Sequence, residues 1–384
     1  MNRIVLMATK EFLHILRDKR SALFLLVGPL VALLFFTFLY AGETVGGLRL
    51  LIVDEDKSPL SREIASQYSQ VETFEYVGQV NHYDQAREWL QSGKAEVAVI
   101  IPSNFSKEIK EGRGSQILTI IDGTNMLVSN SAIRASSQIV QYNSALVTMR
   151  VLESHGIPLE KAKSIVQSVN FSTRVWYNPT FNYRNFLLLG LAATVLQQVL
   201  LMPISTSICR EKTRGTNAYL ALSPLRSYEA IIGKAIPYIF LGLFNLLLIL
   251  VFANRLGIGI RGSGLEMFIL SFLFALSLVG IAFIISLVAK DELRATQMSV
   301  LVAMPSFLIS GFTWPLDGMA QPIVWVAQAL PLTHFLEAIK IIGVKGAGIE
   351  NVGTEIGALS LLGFGGIAGT ILLWEQKRKK GKLL

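Results

Sequence analysis

The chain has one cysteine, Cys209, in 384 residues. An intramolecular disulfide is therefore excluded, and no Cys-based zinc site can form. Histidine is equally sparse. His14, His82, His155 and His334 are scattered, with no HExxH or similar metal-binding spacing. Charge is scarce too: only 16% of residues are charged, against about 25% in soluble globular domains. That shortfall argues against a disordered chain, a nucleic-acid-binding tail protein and an ordinary cytosolic enzyme. A phosphate loop GxxxxGK[ST] is also missing. The Gly-Lys pairs at Gly93, Gly233 and Gly381 are followed by Ala, Ala and Leu. If nucleotide drives this protein, another chain binds it.

What is present is apolar sequence in long blocks. Hydrophobic residues make up 52%, and the mean hydropathy is +0.49. Six blocks approach the roughly 20 apolar residues that cross a bilayer. They are Ser21 to Tyr40, Phe186 to Ile208, Ala235 to Ala253, Met267 to Ala289, Thr296 to Trp314 and Ile356 to Trp374. Pro305 and Gly311 interrupt the fifth. The first is too long for a cleaved signal peptide, and a helix-like segment precedes it. No charged residue sits centrally in any block, which weighs against a proton relay, a voltage sensor or an ion-coupled porter.

The net charge of +8 is unevenly placed. Between Gly42 and Asn185 there are 14 Lys and Arg against 15 Asp and Glu, a net of −1, which leaves +9 for the rest. The excess sits in residues 1–20, in 209–234, after the fourth block and in the tail 375–384. These segments alternate as cytoplasmic loops do, with both termini inside and 42–185 outside. A lipid membrane, not nucleic acid, is the partner this pattern predicts.

The expected organisation is an amphipathic interface helix at 1–20, a first span at 21–41, an α/β extracytoplasmic domain at 42–185, five further spans within 186–374, and a basic tail. In the α/β insert, strands are expected at Leu48–Asp54, Thr73–Val77, Glu96–Ile101 and Gln116–Ile121. Single helices between them imply largely parallel pairing. Ser58 and Pro59 open one helix, and Ser103 or Asn104 caps another. A long helix, Asn125 to Ser154, carries a seam of Val128, Ala132, Ala135, Ile139, Tyr142, Leu146 and Met149. Such a seam packs on its own sheet or pairs with a second subunit. A helix from Pro158 to Val169 and a strand near Phe171–Trp176 lead back to the membrane. Asp122 and the Asp54–Asp56 cluster fit strand ends better than a metal site, because no further ligand pattern accompanies them.

On the cytoplasmic side, Arg3, Lys10, His14 and Arg17 share one face of the first helix. Val5, Ala8, Phe12 and Leu16 share the opposite one. This helix is expected to lie in the interface with its cationic side to the headgroups. In 209–234, Arg210, Glu211, Lys212 and Arg214 extend the second span. Gly215 breaks the helix, Thr216 caps a short helix Asn217 to Leu222, and Ser223-Pro224 ends it. A helix-break-helix of mixed charge beside a bilayer reads as a docking surface for a cytosolic partner. On the other side, Ser310 to Lys340 is punctuated by Gly311, Pro315, Gly318, Pro322 and Pro331. Its two short helical pieces, Ile323–Leu330 and Thr333–Ile341, predict a re-entrant or outer-leaflet hairpin that lines an exit route, since irregular backbone at membrane depth survives only when covered. Trp314 and Trp325 suit the membrane interface, and Glu337 and Lys340 are spaced to pair.

These segments together resemble the type-2 permeases of bacterial ABC transporters, in the multidrug-efflux-like subgroup with a large external domain between the first two spans. The resemblance rests on KEFLHILRDKRS (Lys10 to Ser21), VDEDKSPLSREI (Val53 to Ile64), GKAEVAVIIPSNF and IDGTN, REKTRGT followed by SP and GK, and SGFTWP with PLTHFLEAIK. It covers nearly the whole chain. It departs from the family at Ala218, where an acid is common, at Met319-Ala320 with proline displaced to Pro322, and at Lys340, where arginine is common.

The resemblance implies a permease subunit with no catalytic site or cofactor of its own. ATP and magnesium would be held by two copies of a cytosolic ATP-binding subunit. A second permease would complete a homo- or heterodimer, and a periplasmic fusion or adaptor protein is a further partner the resemblance allows. The cargo would be apolar or amphiphilic: drug-like, lipid or peptide. By this analogy the ATPase is met by Arg210, Glu211, Lys212, Thr213, Arg214, Gly215, Thr216 and Pro224, and by Lys10, Arg17 and Asp18 of the first helix. The outer gate falls to Gly311, Phe312, Pro315, Pro331 and Thr333. The competing expectation is a membrane receptor whose external α/β domain senses a ligand, but the basic tail is too short for an output domain. A membrane-embedded hydrolase would need nucleophile or metal motifs that the sequence lacks.

Overall fold

A computed structural model describes residues 2–40, 46–166, 176–177, 183–216, 219, 223–257 and 260–380. The chain divides into two compact units. Residues 1–41 and 176–384 form a helical unit, and residues 42–175 form an α/β unit.

In the α/β unit, β1 (Leu48–Asp54), β2 (Phe74–Val80), β3 (Val97–Ile101) and β4 (Leu118–Ile121) make one sheet in the order β2-β1-β3-β4. β1 pairs parallel with β2 and β3, while β4 runs antiparallel to β3. The expectation of largely parallel pairing holds for three strands and fails for the fourth. The reason is the short α5 (Phe105–Lys110). Its connection to β4 reverses the chain, so β4 comes back along the edge of β3. β1 and β3 are buried on both faces, as central strands with helices on each side should be. On one face Leu50, Ile52, Val97 and Val99 meet α3 (Pro59–Gln70), α5 and α6 (Met126–Ser154). On the other, Leu51, Val53 and Ala98 meet α4 (Tyr83–Gln91).

Local chemistry sets the element ends. The Ser58 hydroxyl accepts from the Ser61 backbone N–H and Pro59 occupies the first turn of α3. Asn104 stands at the N-cap of α5 without a side-chain bond. The Asn125 side chain accepts from Leu127 N–H to open α6. Asp54 caps the turn after β1. Its Oδ1 accepts from Lys57 N–H (2.9 Å) and its Oδ2 from the Ser61 hydroxyl (2.9 Å). The α6 seam splits. Val128, Ala132, Ala135 and Ile139 pack into the domain's own core. Beyond them the buried face passes to Asn143, and Tyr142 is exposed. A helix follows at α7 (Leu159–Val166). The strand expected near Phe171–Trp176 lies outside the described residues, save Trp176.

The helical unit comprises α1 (Arg3–Arg17), α2 (Lys19–Leu39), α8 (Tyr183–Thr213), α9 (Ser227–Arg255), α10 (Gly264–Val288), α11 (Glu292–Ile309), α12 (Gln321–Gln328), α13 (Pro331–Ala338), α14 (Gly353–Ser360) and α15 (Gly366–Lys379). By length and composition, five helical stretches can cross a membrane: Ala22–Leu39, Leu187–Thr213, Ser227–Arg255, Gly264–Val288 and Ile349–Lys379. The pair Gln321–Gln328 and Pro331–Val344 adds a broken stretch bent by 82°. The fifth expected span is corrected. Thr296–Trp314 is realised as α11, Glu292–Ile309, which starts earlier, carries Glu292 and Arg294 in its first turn and ends before Gly311. Its 18 residues reach about 27 Å at 1.5 Å per residue.

α10 is the centre of the bundle, with 72% of its span buried. Small residues let its neighbours come close, as helix packing in lipid requires. A Cβ at Gly280 would sit 2.8 Å from the Leu362 carbonyl and 3.2 Å from Gly366 Cα. The approach occurs where the chain passes through a π-turn at Leu361–Gly365, between α14 and α15. A second π-turn, Ile339–Val344, follows α13.

Candidate functional site

At one end of the helical unit, α1, the end of α8 and the start of α9 are tied by buried charge. Lys234, 1% exposed, lies one turn inside the apolar part of α9. Its ammonium donates to Glu11 Oε2 (2.8 Å), Glu211 Oε1 (3.1 Å) and the Ser207 carbonyl (3.3 Å). Glu11 Oε1 accepts from the Tyr238 hydroxyl (2.9 Å) and from Arg210 Nη2 (3.2 Å). Glu211 also accepts from Lys10 Nζ (2.8 Å) and from the Thr216 hydroxyl. Two carboxylates thus face three cations, with a phenol as an extra donor. The pairing is what makes such burial tolerable. Burial pushes the Glu11 carboxyl up, but Lys234, Arg210 and the Tyr238 hydroxyl together hold it below its ordinary value.

Glycine lets α1 reach this site. A Cβ at Gly233 would lie 2.6 Å from Met7 Cβ and 3.0 Å from the Ile4 carbonyl. The buried face of α1 is Met7, Glu11 and Ile15. The expected orientation of this helix is therefore corrected. Two of its cations turn to the protein rather than to headgroups: Lys10 to Glu211, and Arg3 to the Pro224 carbonyl (2.7 Å) and to Glu229 (3.7 Å). Val5 and Leu16 of the apolar face are exposed, while Phe12 packs edge-on against Phe240 at 6.5 Å. Arg17 is exposed and Asp18 half-buried at the break between α1 and α2.

The loop before α9 is held from both chain ends. Arg3 binds the Pro224 carbonyl, while Arg378 of α15 donates to the carbonyls of Leu225 (2.8 Å) and Ser223 (3.3 Å). Gly215 takes a positive φ of 71° and ends α8, as its position predicts. Thr216 folds back onto Glu211. The helix Asn217 to Leu222 that it was expected to cap lies outside the described residues, except Tyr219. Of the expected docking residues, Lys212, Thr213, Arg214 and Gly215 are exposed. Arg210 and Glu211 instead point inward to the ion network. Sequence reasoning missed Glu11, Lys234 and Tyr238. The available signals were a lone acid on a basic helix and a Gly-Lys pair inside an apolar run.

The interrupted segment after α11 forms a second cluster. Gly311 has φ +80°, and a Cβ there would meet Leu316 Cγ at 2.8 Å. That turn inserts Phe312 against Gly190 of α8, where a Cβ would lie 2.5 Å from the ring. Phe307 packs beside it at 5.9 Å, and Lys340 Nζ stands 5.2 Å from its centroid. Lys340 also pairs with Glu337 at 3.1 Å. Pro315 precedes a 3-10 turn, and Pro331 starts α13. Thr333 is buried, and its hydroxyl has no hydrogen-bond partner. Phe335 stacks on Phe274 at 4.0 Å, which fixes α13 to α10. Trp314 and Trp325 are exposed, and His334 Nε2 meets the Gln328 carbonyl at 2.8 Å. Among the described residues, no group of three His, Cys, Asp or Glu could hold a metal.

Known proteins resemble this chain in sequence. Residues 19–372 match the model of a family described as ABC-2 family transporter protein. The chain is 26% identical over 367 residues to the probable multidrug ABC transporter permease YbhR of Escherichia coli (strain K12), covering 94% of this chain and 95% of that one. It is 28% identical over 351 residues to the probable multidrug ABC transporter permease YbhS of the same strain, covering 90% and 89%. It is 25% identical over 398 residues to the inner membrane transport permease YhhJ, also of that strain, covering 100% and 99%. With its family model matched over most of its length, the chain belongs to the ABC-2 family of transporter proteins.

Proposed function

We propose that this chain is the permease subunit of an ATP-driven exporter in the cell's inner membrane, with both termini in the cytoplasm and the α/β unit outside. Two copies of a cytosolic ATP-binding subunit dock on the end formed by α1, the end of α8 and the loop before α9. A second permease completes the path, and the cargo is apolar or amphiphilic. The names of two relatives, probable multidrug ABC transporter permeases, support drug-like compounds as the cargo.

The observation that carries this reading is the ion network between α1, α8 and α9. Four of its five charged side chains are buried or nearly so, with Lys10 closing the network from the surface, and such burial is tolerable only because each charge is paired. Here it ties three helices together, with Lys212, Thr213 and Arg214 exposed beside a loop strapped from both chain ends. A push on that surface would then move α8 and α9 together. Phe312, Gly311, Pro315, Pro331 and Thr333 serve as the outer gate at the other end of this path.

The test is copurification. The full chain, expressed with its ATP-binding subunit, should retain that subunit through purification. Lys212→Glu with Arg214→Glu should release it while the permease stays folded. Retention of the subunit by the double variant would overturn the docking surface.

A further inference from the structure

The α/β unit has a cavity that the transport reading does not use. One wall comes from the turn that ends α5. Gly112 there has φ +72°, and Arg113 N–H returns to the Glu108 carbonyl at 2.9 Å. The chain then runs through Gly114 and Ser115 to β4. The other wall is the second half of α6, beyond the point where its buried face ends at Asn143. Two ties hold this half of α6 to α3. Asn143 Nδ2 donates to Gln67 Oε1 at 2.5 Å, and Arg150 pairs with both Glu63 oxygens at 3.2 Å. Between α5, the turn and α6 lies a cavity of about 350 Å³. That size falls in the range of sites for small molecules, about 300–1,000 Å³.

The lining is mostly apolar. Ile64 and Phe105 are buried, and Ile109, Ile117, Val147 and Val151 are half-buried. Two polar groups stand among them. The hydroxyl oxygen of Ser115 is enclosed and has no hydrogen-bond partner. Such a group costs stability until something bonds to it. Asn143 is buried too, and its Nδ2 is spent on Gln67 and on the Ile139 carbonyl, while its Oδ1 accepts no hydrogen bond. Charge is nearly absent. Among the described lining residues only Arg113 is ionisable; it is exposed, and it is paired with Glu111.

We infer that this cavity binds an uncharged, largely apolar small molecule that carries a hydroxyl or amide group. Three observations select this class. The walls favour apolar surface. The unpartnered Ser115 hydroxyl and the Asn143 acceptor call for a polar group on the ligand. An ion would find no counter-charge, since the Arg113 guanidinium is already taken, and burying an unpaired charge is costly. The ties from α6 to α3 fix one wall in advance, which limits the ordering cost of binding. The inference concerns the α/β unit alone. It does not rest on the export reading, so loss of the docking surface would leave it standing.

The test uses the full chain in lipid nanodiscs, where both membrane faces are accessible, with Val151→Cys as a reporter in the cavity. Labelling by a hydrophilic maleimide is timed with neutral naphthol, with naphthalene and with anionic naphthoate. Labelling of the unsubstituted chain, whose Cys209 is buried, is subtracted. Naphthol should protect the reporter and naphthoate should not. Ser115→Ala should raise the naphthol concentration for half-protection about five- to tenfold, as loss of one buried hydrogen bond does. It should leave the weaker protection by naphthalene unchanged. Ser144→Trp, which puts an indole at a lining position, should abolish protection. Absence of protection by naphthol, equal protection by naphthoate, or naphthol protection that either substitution leaves unchanged overturns the proposal. Cross-linking of Val151→Cys between two copies, with no effect of naphthol, also overturns it and assigns the cavity to a second copy of the chain.

Discussion

Glu11 of α1 and Lys234 of α9 form a buried ion pair at 2.8 Å across 223 residues of sequence. It joins the N-terminal helix to a span that begins more than half a chain later. Removing one partner leaves the other with a single counter-ion, Glu211 for Lys234 or Arg210 for Glu11, so the cost stays below the about 3–5 kcal/mol of a fully uncompensated buried charge. Glu11→Ala and Lys234→Ala are each expected to lower the melting temperature of the purified protein. Lys234→Met with Glu11→Leu should lose much less than the sum of the single changes, because contacting residues couple. Strict additivity in that cycle would show that the pair does not act as one unit.

The same pair predicts a pH response. The carboxyl of Glu11 is held below its ordinary value of 4.5. A carboxyl depressed in the folded state stabilises above its unfolded pKa, and that contribution is lost as pH falls through the folded pKa. The Glu11 contribution to docking of α1 on α9 should therefore be constant from neutral pH down to 4.5 and weaken below it. His14 of α1, held below its ordinary 6.5 by burial and Arg210, adds a loss below pH 6.5, so the Glu11 step is read in a His14→Gln background. Amide exchange of α1 residues, followed by mass spectrometry from pH 7 to pH 3, would report this. Exchange that rises already between pH 7 and 5 would exclude Glu11 as the cause.

Five of the six apolar blocks and the strands were legible because both are written in local pattern. An apolar run of 20 residues needs no partner to be recognised, and β1 and β3 are short apolar runs closed by Asp54 and Pro102. The breaks at Gly215 and Gly311 were legible too, since each sits at a positive φ that glycine tolerates. The ion network was not. Lys10, Glu11, Arg210, Glu211 and Lys234 come from three distant segments, and no spacing rule brings them together. The direction of α1 was hidden for the same reason. Its cationic face could turn to headgroups or to acceptors elsewhere in the chain, and the positions of Glu211, Glu229 and the Pro224 carbonyl decide. The reversal of β4 depended on a connection, not on the strand itself.

Lys212 and Arg214 are expected to separate docking from folding. Both are exposed, so Lys212→Glu with Arg214→Glu should abolish retention of the ATP-binding subunit and leave the melting temperature unchanged. Glu211→Gln should do the reverse in part. It removes the charge that meets Lys10 and Lys234, so the melting temperature should fall first. If Glu211→Gln weakened retention with no change in melting temperature, Glu211 would be a direct contact despite its burial.

Tight helix packing around α10 gives a stability prediction. A methyl at Gly280 would lie 2.8 Å from the Leu362 carbonyl, which is backbone and cannot swing aside. Gly280→Ala must push α15 and the π-turn away, and overpacking of this kind costs about 1–3 kcal/mol. Gly357→Ala, where a Cβ meets nothing within 4 Å, is the matched control and should be neutral or slightly stabilising. Thermal unfolding of the two variants in the same detergent would rank them, and equal midpoints would show that α10 and α15 are not in close contact there.

Phe312 is held by the absence of a side chain at Gly190, and this makes the gate assignment testable without knowing the cargo. The ideal Cβ at Gly190 falls 2.5 Å from the Phe312 ring, so any larger residue there must expel it. Thr333 serves as the reporter, because it is buried and its hydroxyl is unpartnered. Thr333→Cys should resist a membrane-impermeant maleimide added from outside in the parent background. Adding Gly190→Val should displace Phe312 and expose the thiol to the reagent. The buried Cys209 provides the background thiol control. Labelling of Thr333→Cys in the parent, or continued protection with Gly190→Val, would remove Phe312 from the outer gate.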